Sequence, residues 1–125
     1  MSEEQSIWRA YDATLRAATR MRVLGFREPG DGPGERVLGV VSGAALAEAV
    51  ELLRVTPAGV EAGWLCECEA LTVYELGDGS GRTSEIWFHG CGHGEVRGVE
   101  AIFNFARGDE IERWLSTRGI VDPRM

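Results

Sequence analysis

Lysine is missing altogether, and all thirteen basic residues are arginine. Its absence excludes a Schiff-base nucleophile, an attachment point for pyridoxal phosphate and a P-loop lysine on a nucleotide phosphate. Long apolar runs are missing too, and nothing approaches the roughly eighteen residues that a membrane span needs. The opening Met1-Ser2-Glu3-Glu4-Gln5 is acidic and polar. It resembles neither a signal peptide nor a basic transit peptide, so a cytoplasmic location is expected. Basic surface is scarce as well. A net charge of −7 argues against a general nucleic-acid binder, whose affinity comes from a cationic face. The same charge fits an acidic surface that docks on a basic protein partner. Up to Arg27 the balance reverses, with Arg9, Arg16, Arg20, Arg22 and Arg27 against three acids, but a solvated helix face explains that equally well. Oligomeric state is not legible.

Histidine and cysteine are also few, two and three respectively. An odd number of cysteines without a secretory signal points to buried, metal-bound or catalytic thiols rather than disulfides.

What is present suits one domain. A chain of 125 residues with 44% hydrophobic and 26% charged content can bury a core without staples. Ser2 and Gln5 form a capping box before Ile7, Tyr11, Leu15 and Ala18, which predicts a helix over 3–19. A strand is expected over 19–27, a flexible turn over 28–35 and a strand over 37–41. Ser42 is placed to cap a second helix carrying Leu46, Ala49, Val50 and Leu53, which Thr56-Pro57 ends, with Gly59 and Gly63 in the loop beyond. Extended segments over 64–76 and 82–90 flank Gly77-Asp78-Gly79-Ser80-Gly81, a hairpin signal. A strand follows over 99–106. Asp109 with Glu112 is read as the cap of a last helix, stopped by Gly119 with Ile120 covering its end. The fold class expected is α+β: a mostly antiparallel sheet of about five strands packed by two to three helices.

Chemistry concentrates in one place. His89-Gly90-Cys91-Gly92-His93-Gly94-Glu95 holds both histidines and one cysteine, and Cys66 and Cys68 precede it by one hairpin's length. Alternation along the strands places Cys66 and Cys68 with Thr72 and Tyr74, and gathers them with Trp87, His89 and Cys91 on one face. Leu71 and Val73 then join Ile86 and Phe88 on the core face. Opposed strand residues have Cβ atoms about 4.5–5.5 Å apart, which suits two ligands on one zinc. The leading expectation is a zinc site, structural rather than hydrolytic, with Cys66, Cys68, Cys91 and His89 as ligands and His93 as the substitute fourth. No acid is obviously placed as a general base, so the reading leans away from an enzyme and towards an accessory or interaction protein.

Three alternatives stand beside it. The cysteines are equally read as small buried hydrophobes, with the histidines as ordinary strand and loop residues. A metal-free acidic module of the inhibitor or immunity type fits the charge and size. A thiol enzyme would use Cys91 with His89 or His93, with Glu95 orienting His93 and the glycine amides forming an anion nest.

Overall fold

Ser2 opens α1 (Glu3–Ala17) through a reciprocal capping box, the Gln5 amide donating to the Ser2 hydroxyl and the Ser2 amide to Gln5 Oε1, both at 3.1 Å. Tyr11 and Leu15, one turn apart, are its buried residues. The computed structural model describes residues 2–26, 33–63, 70–89 and 93–120. After α1 come β1 (Arg20–Phe26), β2 (Pro33–Val41), α2 (Gly43–Leu52), a 3₁₀ turn (Pro57–Gly59), β3 (Val60–Ala62), β4 (Ala70–Gly77), β5 (Thr83–His89), β6 (His93–Val96), β7 (Ala101–Asn104) and α3 (Gly108–Thr117). The strands make one sheet of seven in the order β2-β1-β4-β5-β6-β7-β3, and every neighbouring pair is antiparallel. The α+β class therefore holds, with seven strands rather than about five. Among the described residues no helix is long and apolar enough to cross a membrane.

The two unexpected strands are β3 and β6, of three and four residues. Neither is long enough to show alternation, and β6 contains Gly94. Of the expected turn over 28–35, residues 28–32 lie outside the described set. Pro33, Gly34 and Glu35 belong to β2, which is an edge strand. Proline at the first residue of an edge strand forfeits no ladder hydrogen bond, so it does not oppose that assignment.

Helix ends depart from expectation in two places. Ser42 is the N-cap of α2 but makes no side-chain capping bond, and Gly43 after it is left-handed at φ +62°. The N-cap of α3 is Arg107, so Asp109 and Glu110 fall inside the first turn, where their charge favours the helix dipole without capping an amide. The C-terminus of α3 follows the sequence. Gly119 takes φ +74°, Ile120 donates to Leu115 O at 2.9 Å and Gly119 to Ser116 O at 3.0 Å, a complete Schellman motif. A Cβ on Gly39 would lie 2.9 Å from Ile120 Cδ1, so the capping residue seats directly on β2.

All three helices contribute to one buried cluster with one face of the sheet. Tyr11, Leu15, Leu46, Leu53, Ile111 and Leu115 meet Met21, Val23, Tyr74, Leu76, Ile86, Phe88 and Phe103 there. Trp114 packs against it only partly buried. The register explains which residues point in. Tyr74 pairs with Ile86 and Thr72 with Phe88, while Val73 pairs with Trp87 and with Leu24 on the other side. Tyr74 rather than Val73 therefore joins Ile86 and Phe88, which reverses the expected face of β4. Val73 is buried all the same, on the face without helices; the side chain of Leu71 lies outside the described set.

Tyr11 and Tyr74 are the chain's only tyrosines, and both are buried. Tyr11 donates to Leu53 O at 2.7 Å, whereas the Tyr74 hydroxyl has no partner among the described residues. Burial pushes both phenols up, with a smaller push on Tyr11 from Tyr74 and on Tyr74 from Glu112. The folded chain holds protons that an unfolded chain releases at about pH 10. Their contribution to stability is thus complete below about pH 10 and is lost as the pH rises beyond it. Tyrosinate absorbance is expected to appear only together with loss of the far-ultraviolet circular dichroism. A reversible tyrosine titration at about pH 10 in the folded protein would contradict this burial.

Candidate metal site

β5 ends at His89 and β6 begins at His93, so three residues join them. The register pairs Ile86 with Val96, Trp87 with Glu95 and Phe88 with Gly94. One step further it sets His89 opposite His93. Alternation places both histidines, with Trp87 and Glu95, on the face away from the helices. Two further strands complete the row. Ala70 of β4 pairs with His89, and Asn104 of β7 pairs with His93. A register shift between Ala70 and Thr72 makes this possible: Thr72 pairs with Phe88 while Ala70 pairs with His89. The irregularity lies at Leu71, within β4 itself.

His89 is 3% exposed, the one buried polar or charged residue among those described. Among the described residues neither of its ring nitrogens has a hydrogen-bond partner, and the buried Nδ1 of His93 also has none. A neutral imidazole carries one donor and one acceptor, and burying either unpaired is costly. Among the described residues the carboxylate beside it is Glu95, whose Oε1 stands 3.4 Å from His89 Nε2 without making a hydrogen bond. The carboxylate that the sequence offered to His93 thus sits beside His89.

The surroundings are mostly committed elsewhere. Asn104 Nδ2 donates to Gly59 O at 3.1 Å and Glu61 Oε2 at 2.8 Å, which ties β7 to β3 and the 3₁₀ turn. The Trp87 indole donates to Glu85 Oε1 at 2.9 Å, and Arg97 reaches the same oxygen at 3.5 Å. Trp87 shares the histidine face as expected, and with Glu95 it borders a cleft of about 440 Å³ that runs along Arg97 to Glu100. Glu75 of β4 is half-buried and grips Arg22 with both oxygens, at 2.8 and 3.1 Å.

Cys66, Cys68 and Cys91 lie outside the described residues, and so do Glu67 and Glu69. Among the described residues no group of three or more His, Cys, Asp or Glu side chains stands together as a metal cage. His89 and Glu95 are the two that approach each other, at 3.4 Å, and His93 shares their face of the sheet. Their neighbours in sequence are the cysteines: Cys91 lies in the connection between the histidines, and Cys68 is two residues before Ala70. Asn104 and Glu61, which flank the row, went unremarked in the sequence because only the β6–β7–β3 pairing carries them there.

No protein-family model matches this chain, and comparison with curated proteins and with solved structures finds no match to either.

Proposed function

We propose that the β5–β6 turn carries a structural zinc site, and that the chain serves as an accessory or interaction protein braced by that metal. The observation that carries this reading is the pair of neighbouring histidines with three buried ring nitrogens that lack partners among the described residues. A zinc ion satisfies such nitrogens directly, at Zn–N of about 2.0 Å, and thiolates at about 2.3 Å complete a tetrahedral set. Glu95 beside His89 Nε2 supports the same reading, because a metal-bound imidazole commonly has a carboxylate at its other nitrogen. His89 and His93 would hold the metal through Nδ1, the buried nitrogen that each leaves without a partner among the described residues. Cys66, Cys68 and Cys91 are the proposed sulfur ligands. Zinc would supply cross-linking of β4, β5 and β6 at their shared end. The net charge of −7 leaves a basic protein as the fitting partner class.

Cys68→Ser is expected to release the metal and to lower the melting temperature, because serine is a poor, hard replacement for thiolate. Glu100→Gln, an exposed carboxylate in the connection between β6 and β7, is expected to change neither. Zinc released on unfolding, followed with a chromogenic chelator, measures the first effect. Retention of zinc by Cys68→Ser removes that cysteine from the ligand set.

The Glu95–His89 pair also favours a second reading, a Cys91 thiolate activated by His89 with Glu95 behind it. Stoichiometric iodoacetamide labelling of Cys91 at neutral pH, undiminished by added zinc, separates this from the metal site.

A further inference from the structure

We propose that the end of the sheet beside the β4–β5 turn binds a phosphate group, either free inorganic phosphate or the head of a phosphate monoester. Arg20 pairs with Gly77 across β1 and β4, and Gly77 pairs with Thr83 across β4 and β5, so the three form one row. The central position has no side chain, and a Cβ built there would meet nothing within 4 Å. An open notch is left between Arg20 and Thr83. Adjacent strands are about 4.8 Å apart, so its walls stand about 10 Å from each other, enough for a tetrahedral oxyanion. The cleft measures about 330 Å³, and Arg82 and the turn glycines Gly79 and Gly81 also line it.

Charge pairing singles this cleft out. Arg16, Arg22, Arg54, Arg97, Arg107 and Arg118 are each held by a carboxylate. Arg20 and Arg82 have no carboxylate within ion-pair distance among the described residues, and both line the same cleft. In a chain with a net charge of −7, two uncompensated guanidiniums in one notch are the exception. The nearest acid is Asp78. Its carboxyl is held below the usual range chiefly by the Ser80 hydroxyl, then by the Ser80 amide, with the Arg82 charge a lesser cause. Asp78 Oδ1 accepts from the Ser80 amide at 2.8 Å and its hydroxyl at 2.6 Å, so this oxygen is engaged inside the turn.

The turn adds backbone donors. Gly79 and Gly81 take φ +87° and +95°, and their amides make no hydrogen bond among the described residues. These two free amides flank Ser80, whose own amide is taken by Asp78, and each is left as a donor for an anion at the turn. Two guanidiniums, two amides and the Thr83 hydroxyl offer donors to a phosphate, whose oxygens accept them in charge-assisted bonds.

The full chain, labelled with ¹⁵N, is titrated with inorganic phosphate and separately with phenyl phosphate at constant ionic strength. The Gly79 and Gly81 amides and the Arg20 and Arg82 Nε signals are expected to shift and saturate, with a midpoint at or below roughly 10 mM. The exposed double variant Arg20→Gln/Arg82→Gln is expected to bind at least about tenfold more weakly. Arg9→Gln removes an exposed arginine of α1 that also lacks a carboxylate partner among the described residues, and it should bind like the unaltered chain. Phenyl phosphate binding as tightly as phosphate, or tighter, identifies a monoester; tighter inorganic phosphate identifies the free ion. Shifts that stay linear for both probes, or an equal loss in Arg9→Gln, overturn the proposal.

Discussion

Phe88→Ala is expected to cost about 3–5 kcal/mol, the usual loss for a buried aromatic side chain. Phe88 is 4% exposed and lies at the junction of sheet and third helix. Its ring stacks on Phe105 at 5.5 Å between centroids and meets Tyr74 edge-on at 6.3 Å. A Cβ on Gly108, at the start of α3, would lie only 3.2 Å from Phe88 Cζ. Truncation therefore opens a cavity bounded by a strand, two rings and a helix terminus, and the backbone elements around it have little freedom to collapse inward. The measurement is a denaturant titration, in which the midpoint should fall with the slope unchanged. A loss below about 1 kcal/mol would show that this ring does not close the core.

Gly94→Ala carries the second large effect, and its sign is informative. Gly94 is not among the left-handed glycines, so alanine meets no conformational obstacle of that kind. Lower unfolded-state entropy alone would stabilise the variant by about 0.4–1 kcal/mol. Sterics reverse this. The added Cβ would overlap the Phe105 ring at Cε2, with Cζ at 2.8 Å and the backbone oxygen of Trp87 at 3.0 Å. The ring cannot withdraw, because it stacks on Phe88, and the carbonyl belongs to the neighbouring strand. A destabilisation of about 3 kcal/mol is expected, at the upper end of ordinary overpacking. Gly77→Ala, on the open notch of β4, is the matched control and should be neutral or slightly stabilising. Equal effects at the two positions would contradict the assigned packing of Phe105 on β6.

These two positions also show what was legible in the sequence. The helices were, because their apolar residues recur at the helical period and α1 and α3 carry explicit end signals in Ser2–Gln5 and Gly119-Ile120. The β4–β5 hairpin was, because its glycine-rich turn lies between extended segments. Strand β6 was not. A four-residue element shows no alternation, and Gly94 reads as a turn residue until Phe105 is seen to occupy its side-chain space. The faces of β4 were misread for a related reason. Val73 looks more like a core residue than Tyr74, yet the pairing of Tyr74 with Ile86 sends the tyrosine inward. The register shift between Ala70 and Thr72 then brings Ala70 opposite His89, and no pattern of residue types announces such a shift. At the site itself, the nearness of His89 and His93 followed from their spacing across a short connection. The partnership of Glu95 with His89 did not, since it depends on Trp87 pairing with Glu95.

The metal content of protein purified without chelators tests the central claim most directly, read together with the melting temperature before and after chelation. A metal held only by the folded chain adds its binding free energy to folding. About one zinc per chain is therefore expected, and its removal should lower the melting temperature. Acid should act in the same direction, because thiolate and imidazole must be deprotonated to bind. Absence of metal, with a melting temperature unmoved by the chelator, would contradict the account. Cys66, Cys68 and Cys91 would then be metal-free thiols, and the chain an acidic binding module whose contacts lie elsewhere on its surface.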